Sequence, residues 1–244
     1  MSTARAGAQA VEVKEKPPLY RYVSYWAFPR ARWAELDKDG ATGNRKILAT
    51  ALADGTLVGY GEDQNLVHSA EGFTHNSWWQ AKSVSGLVKV VEMLHKGGGS
   101  SSPLLVSSTS HWDQMYISNF YNWKAGSWKA AYGYTATYKL KPDAPEADDA
   151  VRALSSFYMP IFEKMLADGT IVEYEIGREM IHTTDSRPQI LFSFVMPNAE
   201  GLDKFRATLG AALDENSLIG PAFGSMMVNF TPQADFVKVN ATYK

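Results

Sequence analysis

Two histidines stand at matching places in the chain and are the first candidates for acid–base chemistry. His68 and His182 are each followed three residues later by an acid, Glu71 and Asp185. Histidine titrates near neutral pH, and a neighbouring carboxylate would fix its tautomer and raise its pKa. We therefore predict that His68 and His182 are catalytic. The alternative is a structural hydrogen bond that stabilises each hairpin.

Polar side chains alternate along the segments that lead to these histidines. Alternate residues of a strand share one face. The face that includes Tyr60 and Gln64, and the matching face that includes Tyr174 and Arg178, carry more polar groups than a sealed core favours. A ligand-filled cavity would satisfy them, whereas the alternative is the solvated edge of a long, bent strand. Aromatic side chains could add walls to such a pocket or could simply pack. The predicted ligand-binding residues are Tyr60, Gln64, Trp78, Tyr174 and Arg178.

A metal centre has less support in the sequence. His68, Glu71 and His75 have side chains that suit Zn²⁺, and a hairpin would bring them together. The second half of the chain has Gln189 in place of His75, so such a site would be single. We predict no metal site and no cofactor, with a haem bound by His68 or His182 as an alternative.

The two histidines match because the chain contains an internal duplication. Residues 51–69 and 165–183 share 8 identities over 19 aligned positions, including an Ala-Asp-Gly-Thr run in each copy. Duplication on this scale constrains the whole architecture. The predicted organisation is a disordered segment 1–16, repeat 1 at 17–110, an aromatic-rich connecting segment 111–129, and repeat 2 at 130–244.

Each repeat predicts the element order β-α-β-β-α-β. In repeat 1 we expect strands over 19–28, 57–69, 73–80 and 104–110. In repeat 2 the strands are expected over 132–140, 171–183, 189–195 and 222–230. Gly55 is expected just past a helix end, in the left-handed conformation that glycine tolerates. This order is the ferredoxin-like unit, which leaves one face of its sheet bare. We predict an α+β fold in which the two antiparallel sheets pack face to face as one α/β barrel with an interior cavity.

On this repeated pattern, with its paired Ala-Asp-Gly-Thr helix ends, the chain resembles the dimeric α/β-barrel superfamily. That group includes antibiotic-biosynthesis monooxygenases, EthD-like proteins, stress-responsive barrel proteins and NIPSNAP proteins. The resemblance covers about residues 17–232 and is architectural, with no catalytic motif that identifies a subfamily. In layout alone, the chain is also similar to chlorite dismutases and dye-decolourising peroxidases, which are haem enzymes.

Bulk composition excludes several classes of partner. The net charge of −2 without a basic run argues against nucleic acid. There is no apolar run of about 18 residues, so we expect no membrane span. There is also no cysteine for disulfides or thiolate chemistry. We expect a cytoplasmic protein if Met1 is the true start, and an exported one if Ala8-Gln9-Ala10 is the remnant of a signal peptide.

These observations favour a small-molecule-binding barrel. It could be a cofactor-independent enzyme, monooxygenase-like or isomerase-like, that acts on an apolar or aromatic compound. A non-catalytic interaction module and a haem or metal protein are the alternatives. An interior packed solid with side chains would favour the non-catalytic module. We expect a monomer, or a weak homo-oligomer formed through outer surfaces, because one chain can close the barrel.

Overall fold

Eight strands and seven α-helices make up the described part of the computed structural model, which covers residues 14–39, 44–67, 72–98, 102–181, 187–228 and 233–244. The strands are β1 (Leu19–Ala27), β2 (Gly59–Asn65), β3 (His75–Ala81), β4 (Ser110–Trp123), β5 (Gly126–Lys139), β6 (Glu173–Ile181), β7 (Gln189–Met196) and β8 (Gln233–Tyr243). The helices are α1 (Trp33–Asp39), α2 (Asn44–Ala53), α3 (Val84–Lys96), α4 (Pro103–Val106), α5 (Ala147–Asp168), α6 (Ala199–Glu215) and α7 (Ile219–Met226). None of these helices combines the length and the hydropathy needed to cross a membrane.

The strands form one closed antiparallel barrel in the order β1-β3-β2-β8-β5-β7-β6-β4. Each repeat supplies four neighbouring strands, and the β2–β8 and β4–β6 pairs join the two repeats. The predicted α+β barrel of two ferredoxin-like repeats is therefore confirmed. Closure leaves no strand edge unpaired, so one chain completes the barrel. The oligomeric state stays a prediction.

The last strand of each repeat lies further along the chain than we predicted. Residues 103–106 form helix α4, which begins at Pro103 and is capped by the Ser102 hydroxyl, an acceptor from the Leu105 amide at 3.2 Å. The apolar run 104–106 fits a buried helix as well as a strand, and the proline at its start favours the helix. In repeat 2, α7 occupies most of the stretch predicted as a strand over 222–230.

The aromatic-rich stretch 111–129 is not a connection. It forms most of β4 and the start of β5, two strands of 14 residues each. Trp112 and Tyr116 lie four residues apart on one face of β4 and point into the barrel. Even spacing of this kind is the ordinary strand pattern, and an interpretation based on composition overlooks it.

The Ala-Asp-Gly-Thr runs end equivalent helices in the same way. Gly55 has φ 82° and Gly169 has φ 85°, so both adopt the predicted left-handed conformation. In each run the aspartate carboxylate accepts a hydrogen bond from the threonine amide two residues later, at 2.8 Å for Asp54 and 2.9 Å for Asp168. The duplication therefore preserved a local turn as well as a fold.

The barrel interior is filled with side chains, which corrects our prediction of an interior cavity. A space of about 20 Å³ lies among its described residues, roughly enough for one water molecule. An eight-stranded barrel is only wide enough for its own side chains to fill. At its centre Arg21 donates to Glu173 at 2.5 Å and to Ser193 at 3.1 Å, and its Nε lies 2.8 Å from Glu175.

The interior holds more carboxyl groups than Arg21 can neutralise. Burial raises the pKa of Glu173 to about 8, and the charge of Glu175 adds to this rise although Arg21 opposes it. Burial likewise raises the pKa of Asp63 to about 7 and that of Asp235 to about 6. Some of these groups are therefore protonated in the folded chain near neutral pH.

We expect the free energy of unfolding to fall as the pH rises from about 5 to about 8. In this range the folded chain keeps protons that the unfolded chain has released, so raising the pH favours unfolding, by about 1.4 kcal/mol per pH unit for each such proton. Urea denaturation across this range measures the slope. Glu173→Gln, which cannot ionise, should flatten it. A stability that rises with pH would contradict the prediction.

Candidate functional site

A large cavity lies outside the barrel, between the outer face of the repeat 1 sheet and the helices that cover it. Its volume is about 630 Å³, within the range of small-molecule sites. Helices α1, α2, α3 and α4 all contribute residues to its wall. Repeat 1 therefore has an open space beside its own core, between the sheet and the helices.

The floor of the cavity is formed by two rows of residues that run across neighbouring strands. Outward-pointing residues of β4, β1, β3, β2 and β8 lie side by side in the sheet register. The first floor row is Asp113, Ser24, Ser77, Glu62 and Asn240, and the second floor row is His111, Trp26, His75, Gln64 and Lys238. Most of these side chains carry hydrogen-bonding groups, so the floor can orient a ligand.

The roof of the cavity is mainly apolar. Its aliphatic members come from α1, α3 and α4, and Phe28 adds an aromatic ring. The aliphatic residues are Leu36, Val91, Leu94, Leu104 and Leu105. An apolar roof above a polar floor is the usual character of a pocket for an organic molecule with a few polar groups.

His111 is the best-placed acid–base group on this floor. Its Nε2 lies 3.1 Å from the Asp113 carboxylate and 2.9 Å from the Ser24 hydroxyl, and its ring stacks on Trp26 with centroids 3.7 Å apart. A proton on Nε2 directed at Asp113 would leave Nδ1 as an acceptor. The side chain is 37% exposed, so a ligand in the cavity can reach it.

The Glu62 carboxylate and the Tyr22 phenol also face the cavity. Arg45 donates from Nε to Glu62 at 2.5 Å, and burial raises the pKa of Glu62 although this contact with Arg45 opposes the rise. Burial also raises the pKa of the Tyr22 phenol, with Asp113 adding to the effect. Together with His111, these groups supply a base, a carboxylate and a neutral phenol to one cavity.

Repeat 2 has no corresponding space among its described residues. The sequence repeat matches Tyr22 with Tyr134 and Tyr60 with Tyr174, and the same register then identifies the other equivalent positions. In the first floor row Ser24, Ser77 and Glu62 correspond to Ala136, Phe192 and Ile176. Phe192 and Ile176 belong to a continuous core under α5. The cavity is therefore a specialisation of repeat 1.

The five residues predicted to bind a ligand lie in different surroundings. Gln64 lines the cavity, whereas Tyr60 packs beside the core under α2 and α3. Trp78 points into the barrel, where its Nε1 donates to Asp63 at 3.2 Å. In repeat 2, Tyr174 donates to Glu163 at 2.5 Å and Arg178 pairs with Asp148. The structure thus brings Gln64 to the cavity and does not bring the five together.

His68 and His182, with Glu71 and Asp185, lie outside the described residues. Their catalytic role stays a prediction, and the alternative of a metal site that joins His68 to His75 also falls outside the described residues. Among the residues that the structure describes, no group of three or more histidines and acids has metal-binding geometry. Sequence reasoning missed His111 and Asp113, although their spacing of two residues places both on one face of a strand.

No family model and no curated protein matches this chain. Solved structures do match its fold over almost the full length. A proposed monooxygenase from Lactobacillus acidophilus has a TM-score of 0.66 at 9% identity, covering 93% of this chain and 97% of that one. A proposed monooxygenase from Fusobacterium nucleatum has a TM-score of 0.65 at 6% identity, covering 94% and 95%.

An anthrone oxidase-like protein also matches, with a TM-score of 0.56 at 11% identity and coverage of 94% of each chain. Identities this low establish a shared fold and leave the activity to be argued from the site. The chain is therefore an α/β barrel built from two ferredoxin-like repeats, with the fold of these three proteins.

Proposed function

We propose that the repeat 1 cavity binds an apolar or aromatic small molecule and that the chain acts on it as a cofactor-independent, monooxygenase-like enzyme. The carrying observation is the contrast between the described parts of the repeats: the floor of the repeat 1 cavity carries an acid–base group, whereas equivalent positions of repeat 2, such as Ile176 and Phe192, are packed in a core. The descriptions of the structural neighbours as monooxygenases and as anthrone oxidase-like support the same reaction class.

In this proposal His111 is the general base. Its Nδ1 takes a proton from an acidic C–H group of the substrate, while Asp113 holds Nε2 and stabilises the charged ring. The polar floor orients the substrate, and the apolar roof excludes water from the resulting carbanion. The pH dependence of the rate should then show a base that must be unprotonated.

The substrate itself supplies the electrons in this scheme. The carbanion reduces dioxygen and forms a C–O bond, which gives a peroxide anion. Loss of the second hydrogen of the CH₂ group and cleavage of the O–O bond give a carbonyl group and hydroxide. The hydroxide takes back the proton that His111 holds and becomes water, which restores the base. The balance is R₂CH₂ + O₂ → R₂C=O + H₂O, with O₂ as the oxidant.

Oxygen uptake with 1,8-dihydroxy-9-anthrone as the substrate probe tests this proposal. We expect the purified protein to exceed the spontaneous rate, and His111→Ala to lower the catalysed rate by about 10²–10⁴-fold because the base is lost. His95→Ala, which alters another histidine of the cavity wall, should have a smaller effect. Equal losses in both variants would contradict a specific role for His111.

The same samples discriminate the alternatives. The filled interior of the barrel is the observation that favours a non-catalytic module, and such a module would neither bind the probe nor raise oxygen uptake. A haem protein would show a Soret absorbance and, in native mass spectrometry, a mass excess that denaturation removes. Either outcome would replace the proposal.

A further inference from the structure

We infer that the ligand of this cavity carries an acidic group, which Lys129 and Lys238 bind at the end of the cavity formed by β5 and β8. This inference rests on the proposed small-molecule site and specifies its substrate class as an elongated apolar acid. Both lysines line the cavity, and both side chains are exposed.

The acidic side chains that line the cavity have partners other than Lys129 and Lys238. Arg45 is paired with Glu62, and Asp113 lies against His111. The third acid of the lining, Asp63, accepts a hydrogen bond from Trp78 inside the barrel. Within the described ranges, no acidic side chain forms an ion pair with Lys129 or Lys238. Two unpaired ammonium groups at one end of a largely apolar pocket are complementary to an anion.

The backbone at the same end is irregular in a way that sets the position of Lys129. The register between β5 and β8 shifts between Trp128 and Ala131, so one extra residue lies opposite Asn240. Ala130 has φ 53°, and its amide donates to the Asn240 side chain at 2.9 Å. A left-handed conformation is strained for an alanine, and bulges commonly redirect side chains beside binding sites.

The shape of the ligand follows from the strand order. His111 and Lys238 are the two ends of the second floor row, separated by four strand spacings. At about 4.8 Å for each spacing, the two ends are about 19 Å apart along the sheet. A ligand that reaches both ends is longer than two fused aromatic rings, with its acid at β8 and its reacting carbon near β4.

A matched pair of fluorescent probes tests the charge preference. 1-Anilinonaphthalene-8-sulfonate carries an anionic group, and N-phenyl-1-naphthylamine is the same ring system without it. We expect the double variant Lys129→Ala/Lys238→Ala to bind the sulfonate about 10-fold more weakly, since each ammonium contributes up to about 1 kcal/mol, and to bind the neutral probe as before. In the unmodified protein, added salt should weaken binding of the sulfonate probe and leave binding of the neutral probe unchanged.

The control is Lys164→Ala/Lys204→Ala, which removes the same charge from exposed positions on α5 and α6. Equal effects of the two double variants, or equal effects on the two probes, would overturn the inference while leaving the cavity as a binding site. Absence of binding by both probes would overturn the proposed function as well.

Discussion

Replacement of Arg21 by methionine should lower the free energy of unfolding by about 3–5 kcal/mol, because it leaves Glu173 and Glu175 buried without their cation. The guanidinium side chain is 7% exposed and the two carboxylate side chains 1% and 0%, so water cannot take its place. Urea denaturation followed by tryptophan fluorescence measures the loss. The loss should be larger at about pH 8 than at about pH 5, where the carboxyl groups can bind protons instead.

The same substitution at a surface position is the control. Arg152 forms ion pairs with Glu15 and Asp149, yet its side chain is 56% exposed. Arg152→Met should therefore lower the free energy of unfolding far less than Arg21→Met does. Adding Glu173→Gln and Glu175→Gln to Arg21→Met should recover part of the stability. If Arg21→Met costs no more than Arg152→Met, the interior ion pairs do not stabilise the barrel.

Adding a ring to the cavity floor by Ser77→Phe should weaken binding of the neutral naphthylamine probe by about 10-fold or more and lower the catalysed oxygen uptake, since the ring takes part of the space that the ligand uses. The change copies repeat 2, in which Phe192 stands at the equivalent place and packs in the core. We therefore expect stability to change by no more than about 1 kcal/mol.

Ser77→Ala is the matched control for this prediction. It removes the hydroxyl group and adds no volume, so binding should stay within about threefold of the unmodified protein. Isothermal titration and oxygen uptake measure both variants. Full binding by Ser77→Phe would show that the ligand does not lie against this part of the floor, and unfolding of that variant would show that repeat 1 cannot adopt the packing of repeat 2.

The sequence was a good guide to the barrel because the duplication repeats its local signals. The Asp-Gly-Thr turns at Gly55 and Gly169 mark the same helix end twice, and the element order then defines the topology. It was a poor guide where a local pattern fits two structures. The apolar run after Pro103 forms a helix, and the displaced β4 carries His111 to a position that composition alone assigned to a connection.

The position of the cavity could not be predicted from alternation. Alternation shows that Glu62 and Gln64 share one face of β2, but it does not show which face is covered by helices and which is enclosed by the barrel. Whether a face encloses a cavity depends on the volume of the side chains that pack against it. Serine at position 77 leaves a space that phenylalanine at position 192 fills, and a single sequence does not reveal such differences before the register is known.

Closure of the barrel within one chain also frees the protein from symmetry. In a barrel assembled from two identical chains, one codon change would enlarge both pockets together, and both halves would lose packing. Here the residues at positions 77 and 192 are encoded separately, so one half can remain a packed scaffold while the other opens. Fusion thus allows a binding site to evolve while only one half of the barrel loses packing.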